Sequence, residues 1–244
     1  PAMALLLLSL AWYLWVEISD VPVYIMPGPI VVIKHLIQDI GFFAQHGAIT
    51  LFHATTGFGL GTIVAICAAT IMTHSKFLER TIFPVAILIK VTPIVAIVPL
   101  LIIWFGFGSP PIVITAGLIT FFPVLVNTLT GLKSVNHGAL DFFHSIHASK
   151  KEIFLKLRVP SSLPYLFAAF RISIPLSVIG AVVGELFGGS QGLGSVIFVA
   201  HHNLDMPTSF SAILILSMIG IILTMLPSYL ESRLLFWHDS SISQ

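Results

Sequence analysis

From Val91 to Leu132 the chain contains no Asp, Glu, Lys or Arg. A surface facing water cannot be made from such a run, whereas a bilayer core asks for one, crossed as a helix by ~20 apolar residues. The run is too long for one crossing, and Gly106-Phe107-Gly108-Ser109-Pro110-Pro111 interrupts it with a turn signal. It reads as two helices, about 83–105 and 111–132. Further apolar runs at 3–16, 49–73, 163–187 and 210–230 predict an all-α membrane protein with about six transmembrane helices. Charged residues make up 9% of the chain, against ~25% in an ordinary soluble domain. That scarcity, with a mean hydropathy of +1.03 and a net charge of +1, excludes a soluble enzyme, a disordered chain and a nucleic-acid-binding domain. Cys67 is the one cysteine, so neither a disulfide framework nor a Cys-based zinc site can form within the chain.

Basic residues orient the spans. Lys76, Arg80, Lys133, Lys150, Lys151, Lys156, Arg158 and Arg233 fall on one set of loops, and Lys34 falls on the other. This bias predicts a multi-pass protein of the inner (plasma) membrane with both termini cytoplasmic. Lys90 and Arg171 are assigned to the inner ends of their helices, where a long stem snorkels to the interface. Residues 1–16 lack the basic start of a signal peptide, and Trp12, Tyr13 and Trp15 resemble an interfacial aromatic belt. The chain starts at Pro1 without an initiator Met, and the true N-terminus is expected upstream. On the outer side, Ile30, Ile33, Ile37 and Ile40 repeat at helical spacing opposite Lys34, Gln38 and Asp39, which suggests a short surface helix within 22–46.

The cytoplasmic loop, 133–160, carries the most specific signals. Asp141 to Ile146 suits a short helix. Ser149-Lys150-Lys151-Glu152 reads as a capping box opening a second, with Ile153, Phe154 and Leu157 as its apolar stripe. Pro160 and Pro164 are expected to stop that helix before the fifth span. Aromatics presented to the cytosol mark either a docking surface or a face laid back on the membrane, and the residues alone do not separate these.

The loop resembles the Glu-Ala-Ala loop of binding-protein-dependent ABC transporter permeases. Asp141-Phe142-Phe143 stands at Glu-Ala-Ala, His147 at a Gly, and Leu157-Arg158-Val159-Pro160 at Ile-x-Leu-Pro, with the spacing intact. Met26-Pro27-Gly28-Pro29, Trp104-Phe105-Gly106-Phe107-Gly108, Phe121 to Thr128 and Gly192-Leu193-Gly194 extend the resemblance, which points to the nitrate/sulfonate/taurine branch. The branch also includes permeases for vitamin precursors. The resemblance implies a type I ABC importer permease fold in a single domain, 1–244, with its family-like core at about 47–237. It also implies a pore completed by a second permease chain, expected to be identical, together with an extracytoplasmic solute-binding protein. A cytoplasmic ATP-binding subunit would dock on Asp141, Phe142, Phe143, His147, Leu157 and Pro160. ATP and Mg would belong to that subunit, since no Gly-x-x-x-x-Gly-Lys-Ser/Thr occurs here and this chain is expected to hold no cofactor. Two departures stand out. If the family Gly occupies a left-handed turn, His147 costs about a kcal/mol or more there. Phe142 and Phe143 replace two small residues, which asks for a wider groove on the ATPase.

Other constellations are weaker. Gly188-Gly189-Ser190-Gln191-Gly192 matches a nucleophile elbow with His201 and His202 downstream, but the elbow needs an α/β sheet. A membrane-embedded hydrolase using Ser190 and a nearby His is the alternative reading, and a secondary transporter is another, disfavoured by the shortage of intramembrane ionisable groups. The ten histidines show no repeated ligand pairing across spans, so they are expected to be polar interfacial residues and no metal or catalytic residue is assigned. Gly57-x-x-x-Gly61 and Gly180-x-x-x-Gly184-x-x-x-Gly188 read as close-packing faces. Pro93, Asn127 and Glu185 are the candidate pathway or gate residues, with Glu185 expected as an exposed carboxylate at a helix end. The substrate stays open among sulfonates, nitrate, taurine and pyrimidine or flavin precursors.

Overall fold

A computed structural model describes residues 2–234. Eleven α-helices account for most of these: α1 (Ala2–Ile18), α2 (Pro29–Gln38), α3 (Ile40–His74), α4 (Lys76–Val91), α5 (Ile94–Phe105), α6 (Ser109–Lys133), α7 (His137–Ser145), α8 (Lys150–Ile153), α9 (Val159–Gly188), α10 (Leu193–His202) and α11 (Met206–Leu234). No strand occurs among the described residues. The tail beyond Leu234, expected on the cytoplasmic side, lies outside them.

Lipid tails are as apolar as leucine, so helices in a bilayer associate through close packing of small residues. α6 shows this on both sides. A Cβ on Gly57 or Gly61 of α3 would lie 2.5 Å from the Ala116 Cβ or the Gly117 carbonyl oxygen. A Cβ on Gly180 or Gly184 of α9 would lie 2.7 Å or 2.8 Å from the Cα of Ala116 or Ile112. Both glycine faces expected from the sequence are thus contact faces against the same helix. Around them Ala65, Ala69, Met72, Val124, Leu125 and Ala169 form the buried core. Large apolar side chains such as Ile63, Leu88, Ile103 and Trp104 point outward, as a lipid-facing perimeter requires.

Two expectations about the spans change. Four helices are long and apolar enough to cross a membrane: α3, α6, the 150–188 helix and α11 over 206–227. α1 is apolar but shorter, at 17 residues. The expected straight span at 83–105 is instead a pair, α4 and α5, bent by 101°. Pro93 supplies the cause. It disfavours helical backbone at the preceding residue, and Thr92 is extended (φ −68°, ψ 126°). The second change concerns Pro160 and Pro164, which do not stop the loop helix. A π-helical turn at Phe154–Arg158, with the Val159 N–H donating to the Phe154 carbonyl, carries α8 straight into α9. Pro160 follows this turn directly, and the wide turn absorbs the hydrogen bond that its missing N–H cannot make. The surface helix is present as α2 and is pinned to α11 by His35 Nε2 at 2.8 Å from Thr208 Oγ1 and by Ser211 donating to the Val32 carbonyl.

Gly180→Leu tests the packing. It should separate α6 from α9 and lower stability by about 1–3 kcal/mol or more. Gly59→Ala, where nothing lies within 4 Å of the added methyl, should be neutral. Thermal unfolding of the detergent-solubilised protein, followed by size exclusion, distinguishes them; equal melting would refute the close contact.

Candidate functional site: the loop, the membrane cleft and a buried carboxylate

The loop emerges at the end of the bundle marked by the Lys133–Glu79 ion pair, 2.6 Å between Nζ and Oε1. Asn136 caps α7 by accepting from the Gly138 N–H. α7 ends in a Schellman motif: the Ala148 N–H donates to the Phe143 carbonyl and the His147 N–H to the His144 carbonyl. That motif needs a left-handed residue, and His147 occupies it with φ 58°. The strain anticipated from its replacement of Gly is present. The capping box is also present, with Ser149 Oγ accepting from the Glu152 N–H and the Glu152 carboxylate accepting from the Ser149 N–H. The Ser149 N–H, then Lys156, holds the Glu152 carboxyl down at about 2, so it stays ionised. Asp141, His147 and Pro160 are exposed, as is Phe142, whereas Phe143 and Leu157 are half-buried. The two Phe rings meet edge to face at 6.1 Å.

At the opposite end Glu185 contradicts its expected exposure: it is fully buried. Its Oε2 accepts from Thr50 Oγ1 and from the Gly194 N–H, both at 2.9 Å. Its Oε1 lies 2.8 Å from His53 Nδ1, and His53 Nε2 lies 3.0 Å from Ser109 Oγ. His53 is therefore a buried member of this network and not an interfacial histidine. Thr50 Oγ1 also accepts from the Leu193 N–H, and His46 Nδ1 accepts from the Gly192 N–H. The chain folds back over the carboxylate here. A Cβ on Gly192, which has φ 99°, would collide with the Glu185 carboxylate, and one on Gly194 would lie 2.8 Å from the Glu185 Cβ. Glycine at both positions lets backbone N–H groups satisfy a buried charge. The arrangement clamps α3, α6, α9 and α10 together and leaves Glu185 no open face toward a solute.

Between these ends a cleft of about 390 Å³ opens at the α4–α5 break. Its lining includes Lys90, Pro93, Ile119, Phe122, Pro123 and Leu176. Pro93 and Pro123 thus share a cavity. Asn127 lies a turn away, donating from Nδ2 to the Pro123 carbonyl at 2.8 Å. Lys90 stands in the last turn of α4, at the end away from the Lys133–Glu79 pair. Arg171 is paired, with Nη2 2.6 Å from Glu231 Oε2. Sequence reasoning set Lys90 aside and did not single out Thr50 or Phe122. The available signal was that Lys90 is the one charged residue between Arg80 and Lys133.

The hydrolase constellation does not assemble. Ser190 lines a shallow cleft with His46. The His46 Nδ1 is already taken by the Gly192 N–H, and no hydrogen bond joins Ser190 to a histidine among the described residues.

Residues 57–236 match the family model described as "Binding-protein-dependent transport system inner membrane component", and the chain belongs to that family. It is 34% identical over 238 residues to the formylaminopyrimidine transport permease protein ThiX of Halalkalibacterium halodurans, covering 97% of this chain and 95% of that one. It is equally identical, at 34%, to the riboflavin transport system permease protein RibX of Chloroflexus aurantiacus, covering 97% and 89%. The fold is similar to a chain of the MetNI methionine ABC transporter in an inward-facing crystal form, with a TM-score of 0.64, 15% identity and coverage of 80% and 94%. The class is thus an ABC importer permease of type I fold, a transport component.

Glu185→Ala should expose how much the far end depends on the clamp. It strands the Gly194 N–H and removes the His53 Nδ1 partner, and each unpaired buried group costs about 1–3 kcal/mol. A melting temperature matching the wild type in the same detergent would show that the carboxylate is dispensable.

Proposed function

We propose that this chain is the pathway-forming half of an ATP-driven importer for a small solute and docks its ATPase through 133–160. The observation that supports the docking role is the exposure of Phe142 on a helix closed by two separate capping devices. The loop is held rigidly enough to present that ring. On this reading Phe142, Phe143 and Leu157 enter a groove on a cytoplasmic ATP-binding subunit, with Asp141, His147 and Pro160 at its rim. ATP and Mg are bound by that subunit. A second copy of this chain completes the pathway, and an extracytoplasmic binding protein delivers the solute. The loop end, rich in Lys and Arg, faces the cytoplasm, as do both termini; α2 and the Glu185 clamp lie outside. Pro93, Pro123 and Asn127 flank the moving segment of the pathway, while Glu185 serves as a fixed anchor. The named relatives favour an organic solute in the size range of a pyrimidine or flavin precursor.

Phe142→Asp should release the ATPase. A buried aromatic anchor contributes about 2 kcal/mol or more at an interface, or roughly a 30-fold loss of affinity. His147→Gly should retain the ATPase, because it relieves the left-handed strain without touching the anchor. Pull-down of the co-expressed ATPase reads both; full retention by Phe142→Asp would end the docking assignment.

Orientation is tested independently. In a Cys67→Ala background, Gln38→Cys should react with an impermeant maleimide on intact cells, and Lys151→Cys should react only after lysis. The reverse pattern would invert the topology.

A further inference from the structure

Residues 133–157 leave the bundle and return to it, and one side chain closes their neck. Arg158 Nη1 donates to the Leu132 carbonyl at 3.2 Å, across 26 positions of sequence. Leu132 is in the last turn of α6, where carbonyls lack intrahelical partners and the macrodipole is negative. α6 has a local cap as well, since the Ser134 N–H and Oγ both donate to the Gly131 carbonyl. The Leu132 carbonyl instead takes a charge-assisted donor from the far side of the loop. Arg158 is half-buried, and no carboxylate pairs with it among the described residues. Just inside the neck the backbones touch: a Cβ on Gly131 would lie 2.9 Å from the Ser162 Cα, an approach like those at Gly180 and Gly184. The π turn aims Arg158 there. It takes up one residue more than an α-helical turn, which shifts the face of every later residue by about 100°. Phe154, at the start of the turn, rests against the His74 ring at the end of α3, 5.2 Å between centroids, while Arg158, at its end, reaches α6.

We propose that Arg158 is a positioning residue for the coupling of ATP hydrolysis to the pathway: it ties the neck of the loop to the end of α6, so that a displacement of the loop moves α6 and α9 together. The proposal rests on the permease reading and adds to it a residue outside the docking surface. Position 158 is the open place in the Ile-x-Leu-Pro pattern, so the family resemblance assigns it no role. The effect is felt at the cleft. One wall is Ile119, Phe122 and Pro123 of α6 with Leu176 of α9, and the other is the chain around the α4–α5 break at Pro93. With the neck closed, a tilt of α8 shifts the first wall as a block against the second. With the neck open, the loop tilts about the π turn, whose slipped register makes it compliant, and the displacement is absorbed before it reaches the bundle. A hydrogen bond suits this task because it is directional and resists shear, whereas the ring contact of Phe154 with His74 can slide.

The test uses the permease–ATPase complex in nanodiscs, with Leu176→Cys in a Cys67→Ala background as the reporter and a water-soluble methanethiosulfonate as the probe. In this parent, trapping the ATPase with ATP and vanadate should change the labelling rate of the reporter by about fivefold or more. Arg158→Met keeps the stem and removes the donors; it should retain an active ATPase but hold that change to within about twofold. Arg158→Lys, which keeps a charge and donors, should recover most of the change. Assembly is followed by size exclusion in every sample. An undiminished change in Arg158→Met, or none in a parent that retains its ATPase, overturns the proposal. Loss of the ATPase from Arg158→Met would make Arg158 a docking contact, and failure of Arg158→Met to assemble beside a normal response in Arg158→Lys would make it a structural cap; either refutes the coupling role. Failure of the parent itself to retain the ATPase would count against the permease reading instead.

Discussion

The close approach of α6 to α3 and α9 sets the geometry on which everything else in the bundle depends. With no hydrophobic effect to press helices together in lipid, contact must come from backbones near enough for dispersion to act. Gly57, Gly61, Gly180 and Gly184 provide that approach, and Ala116 with Gly117 receives it. Once α6 is fixed between two neighbours, its Pro123 carbonyl, Phe122 ring and Ser109 hydroxyl are fixed too. Each takes part in a different feature: the Asn127 back-bond, the Lys90 contact and the His53 contact. A side chain at any of the four glycines would shift α6 and disturb the Lys90 and His53 contacts, which cross between helices, while the Asn127 bond within α6 would stay.

Charged groups in this bundle are answered in two ways. Glu185 is surrounded by donors, from Thr50 and from backbone that glycine alone allows so near, and its charge is answered within the chain. Lys90 is answered only by an aromatic face. The left-handed backbone at exposed His147 is a local cost kept where the loop turns between its two helices.

Much of this was legible in the sequence. Charge-free runs located most of the membrane helices, Ser149 with Glu152 announced the start of α8, and the glycine spacings named the packing faces. The position of His147 at a family glycine raised a left-handed turn as a condition, and its φ of 58° meets that condition. What the sequence concealed depended on long-range return of the chain. Glu185 looked like a helix-end carboxylate because nothing local shows that Gly192 and Gly194 fold back over it. Lys90 looked peripheral because the span was begun near Phe83. α4 in fact begins at Lys76, which moves Lys90 two turns deeper along its helix. The prolines were read correctly as sites of disturbance but not in degree: Pro93 breaks its helix, while Pro160 is absorbed by one wide turn.

That wide turn bears on how a force at the loop reaches the cleft. From Lys150 to Gly188 the chain is one continuous helical element. It carries the capped loop segment at one end, Leu176 on the cleft wall further along and Glu185 in the clamp at the other. An α-helix resists stretching because every turn is hydrogen-bonded to the next, so a push on α8 cannot be dissipated along the rod. It can be taken up at two kinds of place: the π turn at Phe154–Arg158, where the bonding register has already slipped by one residue, and the prolines, Pro164 and Pro175, where a bond is missing. Pro175 adjoins Leu176. With the far end held by the buried carboxylate, the compliant point nearest the middle of the element is the one beside the cleft wall. Motion imposed at the loop is therefore delivered where α9 meets the broken α4–α5 pair, and the Glu185 clamp is what prevents the whole helix from sliding instead.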